Sequence, residues 1–224
     1  MKINKVGSRG YMFTFYELKN TEFDCTTNVY LINGNNYIFI CDTFLGPECM
    51  YKVEQFIKKY LKEKPIIVFN SHSDWDHIWG NCYFKDNIII AHENCRKDII
   101  RFGEYEFCKY REFKQGKVEI YPPNLVFKDR ITFVDEGIEF FFSPGHTNNS
   151  ASCIDVFDNI IFVGDNVESP KPYLNYNNLK QYENTLNEYL NIKPDTIIPG
   201  HGSIANTNLI KSNLEYIKKC ANRS

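Results

Sequence analysis

The segment Ser71-His72-Ser73-Asp74-Trp75-Asp76-His77 places two imidazoles and two carboxylates within seven residues. Side chains of these types, so closely spaced, can turn several nitrogen and oxygen donors toward one cavity, as a transition-metal site requires. Three further residues of the same kind stand downstream: His146 in Ser-Pro-Gly-His-Thr, Asp165 in Val-Gly-Asp and His201 in Pro-Gly-His-Gly. An isolated loop histidine is more often a hydrogen-bonded structural residue than a ligand. Here, however, four of the five histidines fall in such places, and clustering reverses that preference. Carboxylates gathered at a partly buried edge would repel one another unless divalent cations neutralised them.

What must position these groups is a set of short apolar runs, each leading into one of them. Residues 66–69 run toward His72, 140–142 toward His146, 160–163 toward Asp165 and 197–198 toward His201. Strand ends of this kind can converge on one edge of a sheet. The runs at 66–69 and 88–91 lack alternation, as strands covered on both faces do, so helices must cover the sheet. Alternation at 28–32 and 37–41 around Asn33-Gly34-Asn35-Asn36 predicts a hairpin. Val53, Phe56, Ile57, Tyr60 and Leu61 predict an amphipathic helix over 47–61, closed by Pro65. Residues 92–115 read as largely helical, and Tyr121-Pro122-Pro123-Asn124 as a loop. Strands follow at 131–134, 138–142, 152–156, 160–163 and 196–198, with helices at 178–190 and near 207–220. No repeat or linker interrupts the pattern, which predicts one α/β domain over residues 1–224 with two mainly antiparallel or mixed sheets packed together.

At 224 residues and 43% hydrophobic, the chain can bury one sizeable core. Its 26 basic and 28 acidic side chains are interspersed, and no basic stripe suggests a nucleic-acid partner. The eight cysteines form no Cys-x-x-Cys pair and read as free thiols. Residues 1–20 lack the apolar core of a secretion signal, and no run is long enough to span a bilayer. A cytoplasmic location and no membrane association are expected.

Taken in order, the motifs resemble those of the metallo-β-lactamase superfamily: Asp42 in Cys-Asp-Thr, the loop from His72 to His77, His146, Asp165 and His201. The resemblance extends from the hairpin at Asn28 to His201-Gly202. It implies an α/β (α+β) fold, a four-layer αββα sandwich of two mixed β-sheets flanked by helices. It also implies two divalent metal ions, zinc first, with iron or manganese as alternatives. His72, Asp74 and His146 would hold one ion, Asp76, His77 and His201 the other, and Asp165 would bridge them. A hydroxide between the ions, available near neutral pH because metal binding lowers the pKa of water to about 7, would attack a carbonyl or phosphoryl centre. Asp76 would be catalytic by orienting that nucleophile. Asp42 resembles the family carboxylate that fixes the tautomer of a ligand imidazole; a strand-end turn residue is the even alternative.

The sequence departs from the family pattern His-x-His-x-Asp-His by placing Asp74 where the second histidine belongs. The extra carboxylate makes bound water less acidic and suits iron or manganese as readily as zinc. Aspartate also reaches less far, so a single ion at Asp76, His77 and His201 is the alternative. Flavodiiron relatives carry a glutamate at this position but append a flavodoxin domain, for which this chain is too short.

Within the superfamily, Asp165 argues against antibiotic hydrolysis, and Asn166-Val167-Glu168 stands where homoserine-lactone lactonases place a tyrosine. A single helix after His201 argues against the helical substrate domain of type two glyoxalases. The first reading is therefore a metal-dependent hydrolase of a small ester, thioester, lactone, amide or phosphoester. The runner-up is a non-haem iron redox protein akin to flavodiiron or persulfide dioxygenase members, and the third is a non-catalytic metal-binding module. The expected partner is a small-molecule substrate; oligomeric state is not legible. His92 reads as structural, Trp75 and Trp79 as packing rather than a substrate wall, and 101–113 as a solvated helix rather than a cationic lid. The stretch 166–178 is expected to overhang the site.

Overall fold

The computed structural model describes residues 1–221 and arranges them as two mixed sheets with helices outside both. The first sheet contains, in spatial order, β1 (Lys2–Val6), β2 (Gly10–Phe15), β3 (Thr27–Asn33), β4 (Ile38–Cys41), β5 (Ile66–Asn70), β6 (Ile88–His92) and β7 (Leu125–Phe127). Pairing is antiparallel as far as β4 and parallel from there to β7. The second sheet has the order β12 (Thr196–Pro199), β11 (Ile160–Gly164), β10 (Ala151–Asp155), β9 (Ile138–Phe142) and β8 (Arg130–Phe133), parallel only between β11 and β12.

Parallel neighbours need crossover connections, and the helices supply most of them. α1 (Pro47–Tyr60) joins β4 to β5, α2 (Trp75–Ile78) lies between β5 and β6, and α3 (Glu93–Tyr110) leads toward β7. α4 (Leu179–Ile192) joins β11 to β12, and α5 (Thr207–Ala221) follows.

The near-continuous apolar strands are explained by three separate cores. In β4, Ile38 and Ile40 face α1 and α3, while Phe39 and Cys41 point into the space between the sheets. β11 divides in the same way, with Ile160 and Phe162 between the sheets and Ile161 and Val163 against α4 and α5. Both faces of each strand are therefore buried, which abolishes the polar alternation of a half-exposed strand. The inter-sheet core includes Phe69 and Phe140, stacked with centroids 4.3 Å apart. Helix–sheet, sheet–sheet and sheet–helix interfaces together make the four-layer sandwich.

Two strands, β1 and β2, precede the expected hairpin, and β7 extends the first sheet after the 121–124 loop. The strand expected at 131–134 begins and ends one residue earlier. Residues 134–136 instead form a 3-10 turn that Gly137 closes in the left-handed region, at φ 61°. Among the described residues no two cysteines form a disulfide. Among the described residues, no helix is long and apolar enough to cross a membrane.

Candidate metal centre

Because β9 and β11 are both antiparallel to β10, they run in the same direction, and β12 runs with them. Their C-terminal ends thus emerge on one edge, delivering His146, Asp165 and His201. Backbone bonds bring the end of β5 to the same edge. Ala151 N–H donates to the Ser71 carbonyl at 2.7 Å, and Asn28 N–H donates to that of Gly200 at 2.7 Å. α2 then turns Asp76 and His77 inward from the loop that follows β5.

All four histidines present Nε2 to a common centre. Asp165 Oδ2 lies 3.6 Å from His72 Nε2, 3.4 Å from His77 Nε2, 3.9 Å from His146 Nε2 and 3.1 Å from His201 Nε2. Asp74 Oδ2 faces His72 and His146 at 3.6 and 3.3 Å. Asp76 Oδ2 faces His77 and His201 at 3.7 and 3.4 Å. The seven residues named from the sequence therefore converge as two triads with Asp165 between them.

The opposite nitrogen of each ring is anchored from outside. His77 Nδ1 donates to Asp42 Oδ2 at 2.8 Å, and His201 Nδ1 to the Thr26 carbonyl at 3.0 Å. His146 Nδ1 reaches the Tyr173 carbonyl at 3.4 Å. Ser71 Oγ donates to Asp42 Oδ2 at 2.7 Å, which leaves it to accept from His72 Nδ1 at 2.9 Å. The Ser71 amide also donates to Asp42 Oδ1 at 2.7 Å. Holding the proton on Nδ1 leaves the Nε2 lone pair free for a cation, the usual outer support of a metal-ligating histidine.

The donor set fits a metal ion. Tetrahedral zinc with bonds of about 2.0–2.2 Å requires ligand atoms roughly 3.3–3.6 Å apart, and most of the separations above lie in or near that interval. His72 Nε2 and Asp165 Oδ1 are buried and have no hydrogen-bond partner among the described residues, a costly state unless a cation satisfies them. Electrostatics agree. Burial works against charge on His77, His146 and His201, yet neighbouring carboxylates outweigh it and push all three imidazoles up, His146 to about 9. Burial likewise opposes ionisation of Asp74 and Asp165, but the surrounding imidazoles hold both carboxyls well below the usual range. The field that retains protons here is one that favours divalent ions.

The centre opens into a cavity of about 730 Å³ that Asp74, Asp76, His146, Asp165 and His201 help to line. Trp75, 6% exposed, lines it and stacks on Tyr110, whereas Trp79, 1% exposed, belongs to the core beneath α1 and α3. The 101–113 region contributes Tyr110 to the cavity, while Arg101 stacks on Phe102 and lies outside the lining. From 166–178, Glu168, Ser169, Tyr173 and Asn175 line the cavity. His92 is buried against Phe142 at 3.9 Å, and its Nδ1 accepts from Asn94 N–H at the start of α3.

Glu168 was not singled out by sequence. Its Oε1 lies 4.0 Å from His146 Nδ1, and burial followed by the Asp165 charge pushes its carboxyl up to about 7. Its position depends on remote contacts: Glu168 N–H donates to Asn213 Oδ1 at 2.9 Å, and Asn213 Nδ2 donates back to the Glu168 carbonyl at 2.9 Å. Only its place three residues after Asp165 hinted at proximity.

Comparison with known proteins identifies the family and the fold. The model of the metallo-beta-lactamase superfamily matches residues 23–201. Among solved structures, DIM-1 metallo-β-lactamase exposed to ceftazidime is similar with a TM-score of 0.79 at 21% identity, covering 98% of this chain and 97% of that one. A metallo-β-lactamase from Hirschia baltica gives 0.78 at 19% identity, covering 96% of each chain. FIM-1 from Pseudomonas aeruginosa, in its mono-zinc form, gives 0.76 at 15% identity, covering 98% of this chain and 95% of that one. At such identities the structural likeness establishes the fold alone.

Proposed function

The chain belongs to the metallo-β-lactamase superfamily, and on that premise we propose that it hydrolyses a small ester, thioester, lactone, amide or phosphoester at two divalent ions, zinc first. His72, Asp74 and His146 would hold one ion, Asp76, His77 and His201 the other, and Asp165 both. The observation that carries this reading is the convergence of four inward-facing Nε2 atoms on Asp165 Oδ2 within 3.1–3.9 Å.

The ions, when bound, supply Lewis acidity and lower the pKa of a coordinated water toward neutrality. The protein supplies the rest. Asp76, whose carboxylate edge opens onto the cavity, accepts a hydrogen bond from the attacking water and so orients it. Asp42 and Ser71 keep the His77 and His72 tautomers fixed throughout. The open cavity beside the centre supports turnover over a purely metal-binding role.

A panel of these five substrate classes, assayed before and after chelation and zinc restoration, tests the proposal. Zinc-dependent turnover lost in Asp165→Asn is expected; no turnover on any class at full metal occupancy would overturn it. The runner-up, redox chemistry at non-haem iron, draws on Asp74 in the first triad. Iron as the native metal together with oxygen consumption would move it to first place.

A further inference from the structure

Asp74 stands where its carboxylate has a competing use. It is the N-cap of α2, in extended backbone at φ −65° and ψ 142°, a position from which aspartate ordinarily accepts from the free amides of the first helical turn. No such capping bond is made here. The carboxylate faces His72 and His146 instead, so whatever holds the loop ahead of α2 decides whether the first triad is assembled.

One buried amide holds that loop. Asn149, 3% exposed, lies between β9 and β10, three residues after His146. Its Oδ1 accepts from the Ser73 N–H at 3.2 Å and from the Thr147 hydroxyl at 3.1 Å. Its Nδ2 donates to Ser73 Oγ at 3.0 Å and to Asp98 Oδ2, on α3, at 2.8 Å. Two acceptances and two donations use the full capacity of the side-chain amide. Asp98 sets its orientation, because a carboxylate oxygen accepts and so receives the NH2 end. The carbonyl end is then left to Ser73 and Thr147.

Ser73 separates His72 from Asp74, and Thr147 follows His146. Asn149 thus ties together the two loops that carry the first triad, while none of these bonds reaches Asp76, His77 or His201. Resting on the two-ion hydrolase reading, we propose that Asn149, oriented by Asp98, is a positioning residue for the first ion. By gripping Ser73 through both backbone and side chain it keeps Asp74 beside His146, and so lets a short carboxylate complete the triad. The second site is independent of it.

The test measures zinc affinities without substrate, by titrating metal-free protein in competition with a chromophoric chelator. Absence of turnover on every substrate class would therefore sink the hydrolase reading and leave this inference to stand or fall by itself. Asn149→Ala should weaken one ion about 10–100-fold, the range for loss of an outer support, and leave the other nearly unchanged. Added to Asp74→Ala, in which the first site is already broken, it should not weaken the remaining ion further, which closes a double-mutant cycle. A residue that merely held the fold would weaken both ions, and would do so in both backgrounds. Equal weakening of the two ions, no weakening of either, or a further loss in the Asp74→Ala background would overturn the inference. Should Asn149→Ala fail to fold, Asn149→Asp and its combination with Asp98→Asn take its place. The single variant sets two carboxylates against each other and should lose the first ion. The exchanged pair again faces a donor with an acceptor, at the net charge of the parent, and should recover it. Equal affinities in these two proteins would overturn the inference.

Discussion

Asp42 and His77 meet at 2.8 Å with both side chains fully buried, and the same Asp42 carboxylate also receives the Ser71 hydroxyl that stands against His72. One carboxylate therefore orients an imidazole in each triad. Asp42→Asn keeps the shape but can present an N–H to His77 Nδ1 instead of a lone pair. Zinc affinity should fall about 10–100-fold, measured by competition with a chromophoric chelator. Unchanged affinity would show that His77 needs no such partner.

Asp74 spans His72 and His146 at 3.6 and 3.3 Å, so its shorter reach is sufficient to complete the first triad. Elemental analysis should find close to two ions per chain in the parent protein and close to one in Asp74→Ala. The ion retained should be the one proposed for Asp76, His77 and His201. A stoichiometry of one in both proteins would mean that Asp74 is not a ligand.

Proton and metal compete for the same nitrogens, which sets a pH dependence with a definite sign. His146 titrates near 9 in the metal-free fold against about 6.5 in the unfolded chain, and His77 and His201 shift the same way. The stabilisation from His146 is complete below about pH 6.5 and disappears as pH rises through about 9, and those of His77 and His201 are likewise lost as pH rises. Asp74 and Asp165, held low, contribute above about pH 4 and lose their contribution only in stronger acid. Metal-free protein should therefore melt highest between these limits and lower toward pH 9. Zinc binding at neutral pH should release protons, seen as a dependence of calorimetric enthalpy on buffer ionisation. Zinc uptake without proton release would contradict the field described.

The parts of the centre legible in the sequence are those whose geometry is local. Apolar runs of strand length end within a few residues of His72, His146, Asp165 and His201, so strand direction alone sends these groups to an edge. β1 was harder to see because Lys2, Asn4 and Lys5 give an exposed edge strand little apolar pattern, although Tyr11-Met12-Phe13-Thr14-Phe15 carried a signal for β2. Glu168 was illegible for a different reason: Asn213, on the distant α5, holds its backbone. Asp42 fits the turn and the support reading equally because it is both. It takes φ 63° at the end of β4 and binds His77 from there.

The sheets are joined through their shared core, and Phe140 is central to it. Its ring stacks on Phe69 and meets Phe39 and Phe133 edge-on. Truncation to alanine removes the ring and leaves a cavity that a tightly packed inter-sheet layer cannot close. Phe140→Ala should cost about 3–5 kcal/mol by urea denaturation. A loss below about 1 kcal/mol would mean that the layer repacks.

Gly200 bears on the centre most directly, although it carries no side chain. A methyl group there would collide with Asp165 Oδ1 and stand 2.9 Å from His77 Cε1 and 3.1 Å from the Gly164 carbonyl carbon. The backbone cannot retreat easily, because Gly200 N–H donates to the Gly164 carbonyl and its own carbonyl accepts from Asn28 N–H, each at 2.7 Å. The group that must yield is the Asp165 carboxylate, which faces all four imidazoles. Gly200→Ala should therefore lower the affinity for both ions together, in contrast to Asp74→Ala, which should empty one site. Chelator titrations of the two variants side by side distinguish these patterns, and loss of a single ion in Gly200→Ala would show that Asp165 does not serve both.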